Sequence, residues 1–215
     1  KKTAFSAPSR QLLNAALKQQ YISTIISEES TQNIALLLNE NTFTVTTGHQ
    51  LNIFTGPLYF LYKIVTVINL AKRLKKEFPQ QNFVPVYWMA TEDHDFQEIQ
   101  YFNVNNTKIS WNRESGGAVG RLNTDRFENV FNEFSTLLGT SKNADALREL
   151  FKNAYLKNEN LAEATRYLVN ELFGEYGLVI VDGDDVKLKK QFAPFVKQEL
   201  LQNTSFNIVS KTDQL

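Results

Sequence analysis

The sequence predicts an α/β fold built on a parallel sheet, and three segments carry this prediction. TFTVTT at 42–47 is short and rich in β-branched residues, which favours a strand. FVPVYWMA at 83–90 is a nearly continuous apolar run of strand length, typical of a strand buried on both faces. Between them, apolar residues recur at helical spacing from about 57 to 77. A strand, a helix and a strand in this order indicate a parallel pair with a right-handed crossover.

The segments around this unit are mainly helical. Residues 1–41 carry three apolar groups at helical spacing, which predicts a helical lead-in. YFNVNNTKISW at 101–111 is typical of a short hairpin that turns at Asn105 and Asn106. Helices are predicted at 124–138, 144–156, 160–173 and 185–200, a third buried strand at 178–181, and a further strand at FNIVS, 206–210. Because the sequence stops soon after FNIVS, we expect a fragment of a longer protein.

Composition excludes several classes of protein and site. The chain has 23 basic and 23 acidic residues, so no overall field attracts nucleic acid or an anionic membrane. It has no cysteine, which excludes a disulfide scaffold and a thiolate metal site. No apolar run approaches the ~20 residues that a spanning helix needs. We therefore expect a cytoplasmic protein that binds neither nucleic acid nor membrane.

The first candidate site follows the first predicted strand. Thr47, Gly48, His49 and Gln50 end that strand, and Thr55-Gly56-Pro57 opens the next helix, with Gly56 as cap and Pro57 as first helical residue. A helix N-terminus offers unpaired N–H groups and a positive dipole end, which suit a phosphate or carboxylate. The spacing matches neither a Walker loop nor GxGxxG. The alternative is that both glycines serve only the turn and the cap.

The second candidate site follows the second strand. Glu92, Asp93, His94 and Asp95 come directly after a buried apolar run, so they must lie at the rim of the sheet, in the same cleft as the first motif. His94, oriented by an aspartate, suits a general acid or base. One alternative is a solvated loop that caps the next helix. Another is a metal site, although the unspaced run matches no known metal motif and no metal ligand is assigned.

Two further features are less specific. Asp182 follows the third predicted strand and would reach the same rim, where it could bind an amine or ribose hydroxyls or simply cap a turn. Arg113 and Arg121 flank Gly116, Gly117 and Gly120, so they offer two anion donors on a mobile loop. Ordinary solvated arginines explain this pattern equally well.

TGHQLNIFTGPLYFLYK at 47–63, together with VPVYWMATEDHDFQEI at 84–99, resembles the signature region of the bacillithiol-synthesis cysteine-adding enzyme family. The resemblance implies a Rossmann-like core of the nucleotidyltransferase type, related to class I aminoacyl-tRNA synthetases. Residues 42–98 would form its first half, 99–175 a mainly helical connective insertion, and 176–215 the continuation of the core. It also implies a homodimer built through a C-terminal coiled coil that lies outside this chain.

The resemblance further implies that the carboxyl of cysteine is joined to the amine of glucosaminyl-malate, with ATP or ADP and Mg²⁺ expected by analogy with ligases. His94, Asp93 and Asp95 would be catalytic. The substrate- or phosphate-binding set would be Gly48, His49, Gln50, Thr55, Gly56, Tyr59, Lys63, Glu92 and Asp182. At His49 the family often has glutamine, so this residue is expected to orient a ligand. The alternatives are a nucleotide-binding module without catalysis and a metal-dependent hydrolase at the Glu92–Asp95 run.

Overall fold

The computed structural model describes residues 5–213, and its centre is a parallel sheet. The sheet contains β1 (Thr42–His49), β2 (Asn82–Met89) and β5 (Val179–Asp182), in the order β1-β2-β5. His49 lies opposite Met89, and Met89 lies opposite Asp182. The carboxyl ends of the three strands therefore meet at one edge, and the predicted α/β class is confirmed.

Most of the helices lie on the sequence intervals where periodicity predicts them. The helices are α1 (Ala7–Gln20), α2 (Glu28–Leu36), α3 (Leu58–Glu77), α4 (Phe96–Ile99), α5 (Phe127–Leu137), α6 (Lys142–Tyr155), α7 (Leu161–Phe173), α8 (Val186–Gln202) and α9 (Thr204–Thr212). By contrast, α4 and α9 were not predicted, and the apolar group at 22–26 lies in the turn between α1 and α2. The crossover helix α3 begins one residue later than predicted. Pro57 is its N-cap, and Gly56 instead ends a short 3-10 helix at Ile53–Thr55.

The segment between β2 and β5 forms its own aromatic core. The predicted hairpin is present as β3 (Tyr101–Val104) and β4 (Thr107–Ser110), which pair antiparallel. Beside it, the Trp111 and Phe127 rings stack with centroids 4.2 Å apart, and Phe127 stacks on Tyr155 at 4.6 Å. These rings are fully buried, so burial of large aromatic surface holds α5 and α6 against the end of the hairpin.

The prediction of a strand at FNIVS is wrong, because 206–210 lies inside α9. A strand needs a neighbour to pair its backbone groups, and the nearest candidate, β5, has no free edge to offer. The Glu199 carboxylate instead accepts hydrogen bonds from the Ser205 backbone N–H at 2.9 Å and from its hydroxyl at 2.9 Å. This contact stabilises the turn from which α9 starts.

Side chains close the outer edge of β5. The Tyr21 hydroxyl accepts a hydrogen bond from the Ile180 N–H at 2.8 Å, and the Gln20 side-chain oxygen accepts one from the Asp182 N–H at 2.9 Å. Arg166 of α7 donates to the Ile180 carbonyl at 2.9 Å. Backbone groups that would otherwise face an additional strand are thus paired with α1 and α7, which anchors the helical lead-in to the sheet.

Arg166 holds this edge from a buried position. It is 4% exposed, its guanidinium lies 5.0 Å from the Tyr21 ring centroid, and it also donates to the Gln20 side chain at 3.2 Å. Burial lowers its pKa from the usual value, although neighbouring Tyr21 and Asp182 favour the charged form. At the start of the strand, Ser30 of α2 donates to the Leu178 carbonyl at 2.9 Å.

The connective segment is fastened to the end of β2 at Gly120. The Gly120 N–H donates to the Thr91 carbonyl at 3.0 Å, and the Val119 N–H donates to the Asp93 carbonyl at 2.7 Å. A Cβ at position 120 would lie 2.6 Å from the Thr91 Cβ and 3.0 Å from its carbonyl oxygen. Only glycine therefore allows this close approach.

None of the helices between residues 5 and 213 has the length and apolarity needed to cross a membrane.

Tyr21→Phe tests the closed edge of β5. The change leaves the buried Ile180 N–H without its acceptor, so we expect a loss of about 1–3 kcal/mol in the free energy of unfolding. Tyr176→Phe is the control, because Tyr176 is 55% exposed, and its effect should stay within about 0.5 kcal/mol. Urea unfolding measures both. Equal stability of the two variants would contradict the assigned role of Tyr21.

Gly120→Ala tests the attachment of the connective segment. The added methyl group must displace Thr91 or the backbone, so we expect destabilisation by about 1–3 kcal/mol in the same unfolding measurement. Gly116→Ala is the matched control, since a Cβ there meets no atom within 4 Å. A Gly120→Ala protein as stable as the Gly116→Ala protein would show that the segment is not held against Thr91.

Candidate active site

The carboxyl ends of β1 and β2 border a cavity of about 310 Å³, the β1 cavity. Its lining residues are Gly48, His49, Gln50, Tyr59, Lys63, Trp88 and Ala90. They come from the end of β1, the first turns of α3 and the end of β2. The structure thus brings together five residues of the predicted substrate- or phosphate-binding set, and it adds Trp88 and Ala90.

His49 is held in one orientation at this cavity. It is 7% exposed, and its Nδ1 lies 3.0 Å from the Gln50 carbonyl oxygen and 3.1 Å from the Asn52 side-chain amide. A protonated Nδ1 would donate to the Gln50 carbonyl, whereas an unprotonated Nδ1 would accept from the Asn52 amide, so a neutral imidazole can make either contact. Burial lowers the pKa of His49, and the charge of Lys63 adds to this effect against the opposing contact with Gln50. The imidazole is therefore neutral at pH 7.

Lys63 supplies the positive charge of the β1 cavity. Its ammonium donates to the Gly48 carbonyl at 2.6 Å, which fixes it at the end of β1. A lysine ammonium has three donors, so two remain for a ligand. The Tyr59 ring, 5.0 Å from the His49 ring, and the partly exposed Trp88 provide aromatic surface beside this charge. The cavity suits an anionic group attached to a flat or apolar body.

Gln50 joins the first motif to the second. Its side-chain amide donates to Glu98 at 2.7 Å, and it also hydrogen-bonds the Asp93 carboxylate. The two motifs therefore meet at the rim of the sheet, as predicted. They line two neighbouring cavities, however, and not one shared cleft.

The second motif forms a tight turn around Asp93. Its carboxylate accepts hydrogen bonds from the backbone N–H groups of His94 at 2.6 Å and Asp95 at 3.1 Å. Burial alone would raise the pKa of Asp93, but these bonds and that from Gln50 outweigh it and lower the pKa below its usual value. The Asp93 carboxylate is thus ionised at neutral pH.

His94 stands at the mouth of a second cavity of about 450 Å³, the β2 cavity. The cavity is lined by His94, Asp95, Phe96, Gln97, Gln100, Arg113 and Ser115. The His94 side chain is 89% exposed, and its Nδ1 lies 3.9 Å from the Asp93 carboxylate. The imidazole is therefore accessible to a substrate and lies next to the aspartate that was predicted to orient it.

A third cavity of about 250 Å³, the β5 cavity, contains Asp182. It is lined by Thr91, Gly120, Arg121, Asn160, Ala162, Asp182 and Asp184. The Asp182 carboxylate accepts hydrogen bonds from the Thr91 hydroxyl and from the Asp184 N–H, the latter at 2.9 Å. Asp182 thus lies on the predicted rim, but one of its oxygens is engaged in holding β5 to the end of β2.

The two predicted anion donors are already engaged within the protein. Arg121 donates to Asp184 at 2.6 Å, and Lys189 also pairs with Asp184. Burial would raise the pKa of Asp184, but these two cations outweigh it and lower the pKa. Arg113 donates to the Asn123 carbonyl at 2.6 Å. Arg121 is therefore neutralised by an ion pair, whereas Arg113 is bonded to the neutral Asn123 and keeps its charge beside the β2 cavity, which it lines.

Thr55 and Gly56 do not line the β1 cavity. Phe54, Thr55 and Gly56 all have positive φ angles, of 45°, 70° and 55°, so the chain reverses sharply here. A Cβ at Gly56 would overlap the Asn52 side chain. Gly56 is therefore required by the loop that carries Asn52 to His49. Asn52 is a site residue that the sequence analysis missed, and only its place three residues after His49 hinted at it.

The Glu92–Asp95 run does not converge on one point. Glu92 accepts a hydrogen bond from the Trp88 indole at 3.4 Å, whereas His94 and Asp95 face the β2 cavity. Within residues 5–213, no group of three histidine, aspartate or glutamate side chains is placed to hold a metal ion. The apolar run at 83–90 predicts that Trp88 is buried. The structure shows that Trp88 is instead 38% exposed and lines the β1 cavity.

Comparison with known proteins adds to this geometry. The sequence model described as "Bacillithiol biosynthesis BshC, N-terminal Rossmann-like domain" matches residues 1–215. Relatives named "Putative cysteine ligase BshC" include that of Flavobacterium psychrophilum, 58% identical over 96% of this chain and 39% of the relative. That of Christiangramia forsetii is 49% identical over 100% and 40%. That of Bacillus cereus strain B4264 is 31% identical over 88% and 36%.

The chain thus spans about two fifths of the length of the curated relatives that it matches. The match covers both motifs at the rim of the sheet, and the fold agrees with the description of the domain. The chain belongs to the BshC family, and its residues correspond to the N-terminal Rossmann-like domain of that family.

Proposed function

We propose that the full-length protein is a carbon–nitrogen ligase that joins the carboxyl of cysteine to the amine of glucosaminyl-malate and so completes bacillithiol. The names of the relatives and the family description support this reaction. One observation on this chain carries the proposal. A cavity that contains the Lys63 ammonium is linked through Gln50 to the ionised carboxylate of Asp93. A place for an anionic group thus adjoins a place for an ammonium group.

Lys63 is proposed to bind the carboxylate, or the phosphate used to activate it. Its two remaining donors can each hold an oxygen, and a charge-assisted hydrogen bond of this kind is among the stronger ones in proteins. Tyr59 and His49 line the same cavity, where the imidazole of His49 can form a hydrogen bond with a ligand. The role of His49 is to orient the ligand.

Asp93 and His94 are proposed to handle the amine. An amine attacks a carboxyl carbon only after it loses a proton, so it needs a base beside it. The ionised Asp93 pairs with the ammonium form, and His94, 3.9 Å away, accepts the proton. Asp95 lines the same cavity and adds a second negative charge for the ammonium. Asp182 and Glu92 lie further along the rim, where they complete the polar boundary of the site.

ATP with Mg²⁺, when bound, would activate the carboxyl group. The exposed ammonium of Lys63 beside aromatic Tyr59 and Trp88 fits a phosphate attached to a flat base. The Gly56 N–H already donates to the Ile53 carbonyl at 3.1 Å, so its one donor is used within the loop. We therefore assign the phosphate contact to Lys63 and not to Gly56.

The decisive experiment uses the full-length protein with cysteine and glucosaminyl-malate, with and without ATP and Mg²⁺, and detects bacillithiol by mass spectrometry. Product in either condition supports the ligase. Its dependence on ATP tests the nucleotide assignment. Well-folded protein that binds nucleotide but forms no product would instead indicate a binding module without catalysis.

Replacement of the two histidines separates their roles. His94→Ala removes the proposed base, so kcat/KM should fall by about 10²–10⁴. His49→Gln keeps a polar side chain at the cavity, so kcat should stay within about threefold while KM changes. Steady-state kinetics of the full-length variants measures both values. Full activity of His94→Ala would contradict the acid–base assignment.

Lys63→Met tests the anion contact. Loss of a charged hydrogen bond of roughly 1.5–3 kcal/mol should raise KM for the anionic substrate about ten- to a hundredfold. Lys76→Met, in the last turn of the same helix, is the control for removal of a positive charge from α3. If both variants have the KM of the unmodified protein, Lys63 does not bind the anion.

A further inference from the structure

The last two described helices expose an apolar surface that this part of the protein does not cover. No residue of α8 or α9, both of which lie inside the range 5–213, is buried. The large apolar side chains that are exposed on these helices are Val186, Phe192, Phe195, Val196, Leu200, Leu201, Phe206, Ile208 and Val209. A continuous exposed apolar surface of this kind marks an interaction site.

The apolar residues of α8 form one exposed face of the helix. A shallow, open depression along this face is lined by Lys189, Phe192, Ala193, Val196, Lys197, Leu200 and Leu201. These positions repeat at intervals of three and four, which is the spacing of a face that packs against another helix. We call this face the α8 groove. Its geometry fits an amphipathic helix.

A different side of α8 is already fixed to the domain. Asp185 caps the helix by accepting hydrogen bonds from the N–H groups of Lys187 at 2.8 Å and Leu188 at 3.0 Å. Gln191 donates to Ser9 of α1 at 2.7 Å. These polar contacts fix the position of α8 on the domain. The α8 groove therefore has a defined position as well.

The positive charges around the groove indicate which kind of helix would bind there. Two lysines of α8, Lys189 and Lys197, border the groove, and Lys189 also pairs with Asp184 of the β5 cavity. A second copy that paired through the same face would place lysine next to lysine, which is unfavourable. A segment with acidic residues beside its apolar stripe would instead complement the groove.

We propose that the α8 groove binds an amphipathic, acid-flanked helix from the C-terminal part of the same full-length polypeptide. The matched family region is an N-terminal domain, and it covers about two fifths of the relatives, so three fifths of the polypeptide is available to supply this helix. The groove begins at Lys189, which pairs with Asp184 of the β5 cavity. The bound helix therefore lies beside the catalytic edge of the sheet.

Thiol accessibility in the full-length protein tests this proposal. Residues 1–215 contain no cysteine, so Val196→Cys and Leu200→Cys introduce single probes once cysteines in the C-terminal part are replaced by serine. The exposed Gln198 lies on the opposite side of α8, and Gln198→Cys is the matched control. We expect the two groove positions to react with a thiol reagent about tenfold more slowly than position 198. Equal rates would overturn the proposal.

The occupant is identified by cross-linking. A benzophenone attached at Val196→Cys should link to a peptide of the C-terminal part, in a product with the mass of one chain. A product with the mass of two chains would overturn the proposal in favour of a second copy. The variant Lys197→Glu, which leaves the Lys189–Asp184 pair in place, should accelerate labelling at Leu200→Cys, because it repels acidic flanks. Unchanged labelling would overturn the assigned charge of the partner helix.

Discussion

The closed outer edge of β5 is the constraint on which the rest of this domain depends. An edge strand carries backbone donors and acceptors that must find partners, and here Tyr21, Gln20 and Arg166 supply them. These contacts end the described sheet at β5 and attach the helical lead-in to it. They also fix where β5 stops, and thus hold the turn with Asp182 and Asp184 at the rim. The contacts at the outer edge of β5 therefore help to position the rim, although they lie at the opposite edge of the sheet from β1 and Lys63.

The charges at the rim divide into those used by the protein and those left for a ligand. Asp184 is neutralised by Arg121 and Lys189, so the β5 cavity is compensated internally. Lys63 and Arg113 donate to neutral carbonyl oxygens, while Asp93 accepts from backbone N–H groups and lies 3.9 Å from His94. This contrast favours the β1 and β2 cavities as the places where charged substrates bind. Some charged residues of the rim, such as Asp184 and Arg121, pair with each other. A count of charged residues therefore gives more binding groups than the rim offers to a ligand.

Much of the fold follows from local pattern, and the errors occur where tertiary contacts decide. β-Branched residues predicted β1, continuous apolar runs predicted β2 and β5, and the crossover rule then placed both motifs at one rim. FNIVS is too short for its pattern to distinguish a strand from a helix, and the lack of a free edge at β5 decided the outcome. Gly56 suits a helix cap by residue type, but three successive positive φ angles assign it to the loop. The roles of Asn52 and Trp88 depend on tertiary contacts, because Asn52 bonds His49 and Trp88 lines the β1 cavity.

The bond between Gln20 and Asp182 joins residues 162 positions apart in the sequence. On the ribosome, the lead-in helix emerges long before the strand that it protects. At typical elongation speeds the interval is on the order of ten to thirty seconds. During that time β1 and β2 exist without their third strand, and the apolar surface of β2 remains uncovered. The lead-in helix can therefore form its contact with the sheet only after β5 has been synthesised.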